Sequence, residues 1–243
     1  MRELEGKTVV ITGGARHIGR AVALACAQAG ADVAITFLES KRDAKKTTTD
    51  IEALGRRALA VSCDVRYPNS VNAAARAVLR EFISIDVLVN NAGVYETAAF
   101  NEISPEQWTE MFETNTRGPY LVAQAFGDAL RSSEGRIINL GSLGGLRPWV
   151  THAHYCASKA GLTMLTEVMA KALAPAVSVN CVAPGMIETG EKRSPATLAR
   201  FAERTPMRRN GTPEDVAAAV LFFATAPKFI TGQVLVVDGG LGL

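Results

Sequence analysis

The sequence predicts an α/β fold: one doubly wound domain, with an about seven-stranded parallel sheet and helices on both faces. Three observations point there. Short β-branched runs alternate with stretches of helical pattern along the whole chain, as repeated strand–helix units require. The runs are near-continuously apolar, which suits parallel strands covered on both faces. Right-handed crossovers between such strands then distribute the helices over the two faces.

The elements follow in order. The strands are "KTVVIT" (Lys7–Thr12), "DVAITF" (Asp32–Phe37), "ALAVSC" (Ala58–Cys63), "IDVLVN" (Ile85–Asn90), "RIINL" (Arg136–Leu140), "VSVNCV" around Ser178, and "VLVV" (Val234–Val237). Between the first four lie the helical stretches "IGRAVALACAQAG", "AKKTTTDIEALG" and "NSVNAAARAVLREF". Gly30 and Gly55 stand where C-terminal caps belong. Pro105 and Pro213 read as first-turn residues behind the caps Ser104 and Thr212. Two long helices are expected over Trp108–Gly127 and Tyr155–Ala174. Glu188 to Pro206 is charged and weakly patterned, and is expected to be a mobile cover over a site, with a solvated surface helix as the plainer alternative.

Composition narrows the function. At 243 residues the chain can bury one large core, and no repeat, low-complexity stretch or linker divides it, so 1–243 reads as one domain. Lys+Arg 26 against Asp+Glu 24 is too balanced for a nucleic-acid binder. No apolar stretch approaches a membrane span, and "MRELEGK" lacks a signal-type apolar region, so a cytoplasmic protein is expected. Cys26, Cys63, Cys156 and Cys181 are scattered among apolar neighbours, as small buried side chains in a reduced compartment would be. No metal site is expected: His152 and His154, with Trp149, read as pocket lining or surface, since no carboxylate partner stands at ligand spacing.

The first candidate site is "TGGARHIG", Thr12 to Gly19, between the first strand and its helix. Gly13 permits the sharp turn and Gly19 lets the helix pack close to the sheet. The free N–H groups at that helix start, around Arg16, His17 and Ile18, suit a pyrophosphate. The spacing is not the G-x-G-x-x-G fingerprint, and by itself the motif is equally an ordinary glycine-rich turn. Where an NAD site usually places an acid on the ribose diol, at the end of the second strand, this chain has Phe37 and Leu38. Arg16, His17, Ser40 and Lys41 supply instead the polar and cationic groups that an extra phosphate needs, with Glu39 dissenting. That favours NADP(H) over NAD(H).

The second is "HYCASKAGLTMLTEVMAKAL", from His154. Tyr155 and Lys159 are one helical turn apart on one face, so the ammonium would favour the phenolate and prepare Tyr155 for proton transfer. Such a pair is common on solvated helices; it gains weight because "NLGSLGG" puts Ser142 at the same carboxyl edge as the glycine-rich turn.

Together "TGGARHIG", "NNAG" (Asn90–Gly93), Asn115, Ser142, "YCASK" (Tyr155–Lys159), "CVAPGMIET" (Cys181–Thr189) and "VDGG" (Val237–Gly240) resemble the short-chain dehydrogenase/reductase family, in order and across nearly the whole chain. The resemblance implies a Rossmann-like fold and a set of roles. Tyr155 would be the acid/base, with Lys159 holding the nicotinamide ribose and depressing the Tyr155 pKa. Ser142 would bond the substrate oxygen, and Asn115 would anchor a relay water. Asp64 and Val65 would meet the adenine, and Asn91, Ala92 and Gly93 would line the cofactor cleft. Pro184, Gly185, Ile187 and Thr189 would cup the nicotinamide end. A basic residue at the Arg16 position agrees with NADP(H), and a homotetramer is expected, its long helices pairing between subunits.

The wording is closest to the 3-oxoacyl-acyl-carrier-protein reductase branch, which implies a carbonyl substrate, such as a thioester. Two arginines common in carrier-protein users are replaced here, by Ser133 and Ala176, although Arg131 and Lys171 lie nearby. The alternative is a pteridine-reductase-like or other small-carbonyl enzyme: that branch tends to carry a basic residue at the His17 position and a shortened "LAP" connection, but replaces the glycine kept here as Gly93. A non-catalytic NADP sensor on the same fold would have no use for Asn115, Ser142, Tyr155 and Lys159 together. His17 is expected to be passive, approaching the phosphates through its backbone with the imidazole turned outward or onto the extra phosphate.

Overall fold

In the computed structural model, which describes residues 3–190 and 194–243, seven strands form one sheet in the order β3-β2-β1-β4-β5-β6-β7. They are β1 (Thr8–Ile11), β2 (Asp32–Phe37), β3 (Ala58–Ser62), β4 (Val87–Asn90), β5 (Arg136–Leu140), β6 (Ser178–Pro184) and β7 (Val234–Val237). Every pairing is parallel, from Val33↔Ala58 at one side to Pro184↔Val237 at the other. The expected fold class is therefore observed, and each expected strand is present within two residues of its bounds. Strand order reverses at β1, whose neighbours are β2 and β4. The crevice for a ligand in such a sheet lies there, beyond the carboxyl ends.

Alternation along the strands assigns side chains to two cores. Val9 and Ile11 of β1 join an apolar cluster with Val22 and Cys26 of α1 (His17–Gln28) and with Val216 and Phe223 of α9 (Pro213–Thr225). Val10 points the other way, into a cluster with Val71 and Val78 of α3 (Pro68–Glu81), Val122 of α5 (Gly118–Ala125) and Met169 of α7 (Ala153–Leu173). Burial on both faces is the reason these strands read as unbroken apolar runs. Burial pushes the Cys26 thiol up to about 12, so it behaves as a small apolar side chain.

The punctuation residues act as their chemistry suggests. Gly30 and Gly55, at φ +104° and +76°, follow the ends of α1 and of α2 (Lys41–Ala53). Ser104 and Gln107 form a capping box at α4 (Pro105–Phe112), and Thr212 and Asp215 form another at α9.

Two expectations change, and a third segment is found to carry a helix. The helix expected over Trp108–Gly127 is interrupted: α4 gives way to a π-helical turn at Glu113–Arg117, and α5 resumes at Gly118 and ends at Ala125, before α6 (Gly127–Ser132). The extra residue in that turn carries Asn115 inward, where it is fully buried. Second, α2 starts at Lys41 rather than Ala44, with Ser40 at its N-cap position. Third, the segment expected as a cover contains the helix α8 (Pro195–Arg204), which buries none of its residues fully; positions 191–193 lie outside the described residues.

Candidate active site

The glycine-rich turn is tied down by its neighbours. Thr12 Oγ1 accepts from the backbone N–H groups of Asn91 and Ala92, each at 3.0 Å, and Asn91 Nδ2 donates to the carbonyls of Thr12 at 2.9 Å and Gly13 at 3.0 Å. A Cβ at position 19 would lie 2.6 Å from Asn91 Nδ2, so only glycine allows α1 to begin this close to the β4 loop. Asn91, Ala92, Gly13 and Gly19 thus form one rigid rim, with the N-terminus of α1 facing the crevice. Ile18 packs against the adjoining apolar cluster. On the other side, Thr47 of α2 donates to the Ala15 carbonyl at 3.0 Å.

Arg16 is more than half exposed, with Nε 3.9 Å from Asp43 Oδ2. The carboxylate near it is therefore Asp43, in the first turn of α2, rather than Glu39. The β2 end offers Phe37, followed by an exposed Leu38 and Glu39.

His17 corrects the passive reading. It sits in the left-handed region at φ +50°, and its Nδ1 lies 2.6 Å from the Thr189 carbonyl oxygen. The imidazole is therefore bonded to the segment after β6. The ring is half-buried there. Asp64 is gripped by Arg66 through a salt bridge of 2.7 Å, and the Arg66 hydrogen bond holds its carboxyl below the usual carboxylate range. Val65 is buried against Gly118.

Beyond β4 the predicted catalytic residues converge. Asn115 accepts at Oδ1 from the Val94 N–H and donates from Nδ2 to the Val94 carbonyl, both at 2.9 Å, and also reaches Ser158 Oγ at 3.1 Å. Its amide thus clamps the peptide just past Gly93. A Cβ at Gly93 would stand 3.0 Å from Asn115 Oδ1 and 3.5 Å from Lys159 Nζ, which puts those three residues in one place.

Lys159 Nζ donates to the Leu140 carbonyl at 2.7 Å, at the end of β5. Its burial lowers the ammonium pKa from 10.5 to about 8. Ser142 follows two residues on, buried, with Oγ accepting from the Gly144 N–H at 3.0 Å. The turn after it packs directly on α7, because a Cβ at Gly145 would come within 2.8 Å of the Lys159 backbone. That contact brings the β5 end and the Tyr155–Lys159 turn together.

Tyr155 stands among aromatic rings. Tyr95 meets it edge-on at 5.0 Å between centroids, and Trp149 stacks at 6.0 Å with 16° between planes. The Tyr95 hydroxyl lies 2.5 Å from His152 Nε2, and Thr151 Oγ1 lies 2.9 Å from Nδ1 of the same ring. The sequence marks His152 and Trp149 as pocket lining or surface, and does not mark Tyr95. Its signal is its place two residues past Gly93, in the loop at the β4 carboxyl end. His154, by contrast, faces inward and is fully buried, with Glu96 Oε2 3.9 Å from Nε2. Among the described residues no group of three or more His, Cys, Asp or Glu could hold a metal ion.

Pro184 is the last residue of β6, and Gly185 donates to the Val237 carbonyl at 2.9 Å. Ile187 is buried and bridges to Gly211, and Thr189 receives His17.

This arrangement joins a helix N-terminus suited to phosphates, a buried lysine, a serine hydroxyl and a phenol along one sheet edge. Comparison with known proteins agrees. A family model described as "Enoyl-(Acyl carrier protein) reductase" matches residues 13–242. A 3-oxoacyl-[acyl-carrier-protein] reductase of Synechocystis sp. is 36% identical over 247 residues, covering 99% of each chain. An L-rhamnose 1-dehydrogenase (NAD(P)(+)) of Sphingomonas sp. is 36% identical over 249 residues, covering 99% of this chain and 98% of that one. The crystal structure of a short-chain type dehydrogenase/reductase from Mycobacterium marinum superposes with a TM-score of 0.91 at 35% identity, covering 98% of this chain and 96% of the other. By sequence and by fold, the chain belongs to the short-chain dehydrogenase/reductase family, oxidoreductases that use a nicotinamide cofactor.

Proposed function

We propose that this protein is an NADP(H)-dependent reductase converting a carbonyl to an alcohol, with 3-oxoacyl thioesters as its first substrate class. The observation that carries the reading is the meeting of Gly93, Asn115 and Lys159 beside Ser142 and Tyr155, at the sheet edge that α1 opens onto. The residues fit a dinucleotide: Gly13, Arg16, His17, Ile18 and Gly19 at the phosphates, Ser40 with Arg16 at the extra phosphate, and Asp64 and Val65 at the adenine. Asn91, Ala92 and Gly93 would line the cleft, and Pro184, Gly185, Ile187 and Thr189 the nicotinamide end. NADP(H) is preferred because Phe37 ends β2 where a diol-binding acid would stand, and Arg16 lies exposed nearby.

The chemistry that the dinucleotide supplies when bound is hydride transfer. This chain supplies the proton and the orientation. Ser142 Oγ holds the carbonyl oxygen and Tyr155 gives it a proton. The Lys159 ammonium, still largely charged at pH 7 with a pKa of about 8, favours the phenolate left behind. Asn115 keeps the Val94 peptide, and so the cleft wall at Gly93, in position.

A second reading, reduction of a compact ring carbonyl as in pteridine-reducing relatives, is favoured by one observation: Tyr95, Trp149 and His152 enclose Tyr155 in aromatic surface. Ser133, at a position where carrier-protein users commonly have arginine, donates to the Ile85 carbonyl and leaves no cation there. We place the protein in the cytoplasm as one 1–243 domain with 188–206 covering the substrate, assembled as a homotetramer. No described helix is long and apolar enough to cross a membrane.

The test is absorbance-followed NADPH consumption with an acetoacetyl thioester, NADH in parallel. Turnover with NADPH alone is expected, and Tyr155→Phe should abolish it with NADPH affinity within about twofold of the parent. Retained turnover in that variant would refute the proton-transfer role. NADPH binding without thioester turnover would move the assignment to the ring-carbonyl class.

A further inference from the structure

His17 stands where the turn needs a left-handed residue, a conformation that glycine adopts freely and a side chain does not. A strained residue persists when the surrounding structure holds it, and here the holder is visible. Its Nδ1 is 2.6 Å from the Thr189 carbonyl oxygen, 172 positions along the chain. A carbonyl only accepts, so Nδ1 carries the proton and the imidazole is the donor.

The topology makes this bond informative. His17 opens α1 directly after β1, whereas Thr189 follows β6, and β4 and β5 lie between those strands. Three interstrand steps amount to roughly 14 Å. The residues from Gly185 to Thr189, when extended, reach about that far. The chain after β6 therefore runs back across the crevice to meet the glycine-rich turn. Its course is fastened stepwise: Gly211 donates to the Met186 carbonyl, Glu188 donates to the Gly211 carbonyl, and Asn210 Nδ2 donates to Glu188 Oε1 at 2.7 Å. At Thr189 the fastening passes to His17.

We propose that His17 is a positioning residue, a clasp joining the phosphate-side turn to the nicotinamide-side segment and slowing release of the bound dinucleotide. This rests on the NADP(H) reading, since the clasp unites one residue expected at the phosphates with one expected at the nicotinamide end. The side chain's bond to Thr189 is then one contact that holds a strained histidine in place of an unstrained glycine.

His17→Gly separates the two effects. It removes the strain and the clasp together, so the melting temperature of the ligand-free protein should stay level or rise. NADPH dissociation, measured by displacement in a stopped-flow fluorimeter, should accelerate at least fivefold. Amide hydrogen exchange of the ligand-free variant should quicken at Thr189 and Gly190. A smaller acceleration, or a melting temperature that falls, overturns the clasp, because a merely structural histidine would move stability and release together. Failure of the parent chain to bind either NADPH or NADH would instead defeat the cofactor reading, and the clasp's role with it. Unchanged exchange at Thr189 and Gly190 defeats the clasp alone.

Discussion

Lys159 shows how much one residue can be read from spacing, and how much cannot. Its position four after Tyr155 on a helix marks it as a partner of the phenol. Nothing in that spacing says that the ammonium is buried, bonded to Leu140, and lowered to a pKa of about 8 by lost solvation. A lysine whose folded pKa lies below its unfolded value of 10.5 destabilises the ligand-free fold fully at pH below 8. The cost fades as pH rises from 8 to 10.5, because the unfolded chain then holds the extra proton. Lys159→Met should therefore raise ligand-free stability at pH 7. The charge penalty is about 3 kcal/mol, offset by about 1 kcal/mol for the lost Leu140 hydrogen bond. Denaturant melts at pH 7 and pH 9.5 check this: the advantage of the variant must shrink at the higher pH. An advantage independent of pH would mean that packing, not charge, sets it. His17 makes the opposite point, since its residue type was legible as a departure while its partner, 172 positions away, was not.

At the scale of elements, local chemistry did most of the work. Thr212 with Pro213 announces a helix start, and α9 begins there with Thr212 Oγ1 accepting from the Asp215 N–H and Asp215 accepting from the Thr212 N–H. Arg209, hydrogen-bonded to Asp215, holds that carboxyl down at about 2, so the box keeps its charge at any ordinary pH. Thr212→Ala should cost about 1 kcal/mol of stability, read from the midpoint of urea unfolding. A loss below a few tenths would show that α9 is held by its apolar face alone. The π turn at Glu113–Arg117 was not legible, because Thr114, Asn115 and Thr116 fit a regular helix equally well in sequence. The turn is selected by what Asn115 meets on the inside, the Val94 peptide and Ser158.

On the scale of the whole molecule, α4, α5 and α7 leave apolar side chains outside. Met164 and Val168 of α7 are 59% and 53% exposed, and Trp108 and Tyr120 are also exposed. A groove of about 360 Å³, apolar over most of its surface, lies among Phe112, Glu113, Thr116, Arg117, Tyr120 and Leu165. A surface of this kind, on the long α7 and the shorter α4 and α5 beside it, suits the pairing expected in a homotetramer. Analytical ultracentrifugation should give about four times the chain mass of 25.8 kDa. Met164→Glu combined with Val168→Glu should shift it to smaller species, whereas a monomeric parent would remove the tetramer.

The sequence by itself determined the alternation of strands and helices, the two-faced burial of the sheet, the caps, and the residue types at the sheet's carboxyl edge. These are local or periodic properties, carried by neighbours a few positions apart. Tertiary structure alone decided which of those residues meet. Gly93 reaches Lys159, Gly145 lets the β5 turn rest on α7, and His17 bonds a carbonyl on the far side of two strands. Such contacts depend on strand order and on close backbone approach, and neither is written in any short stretch of the chain.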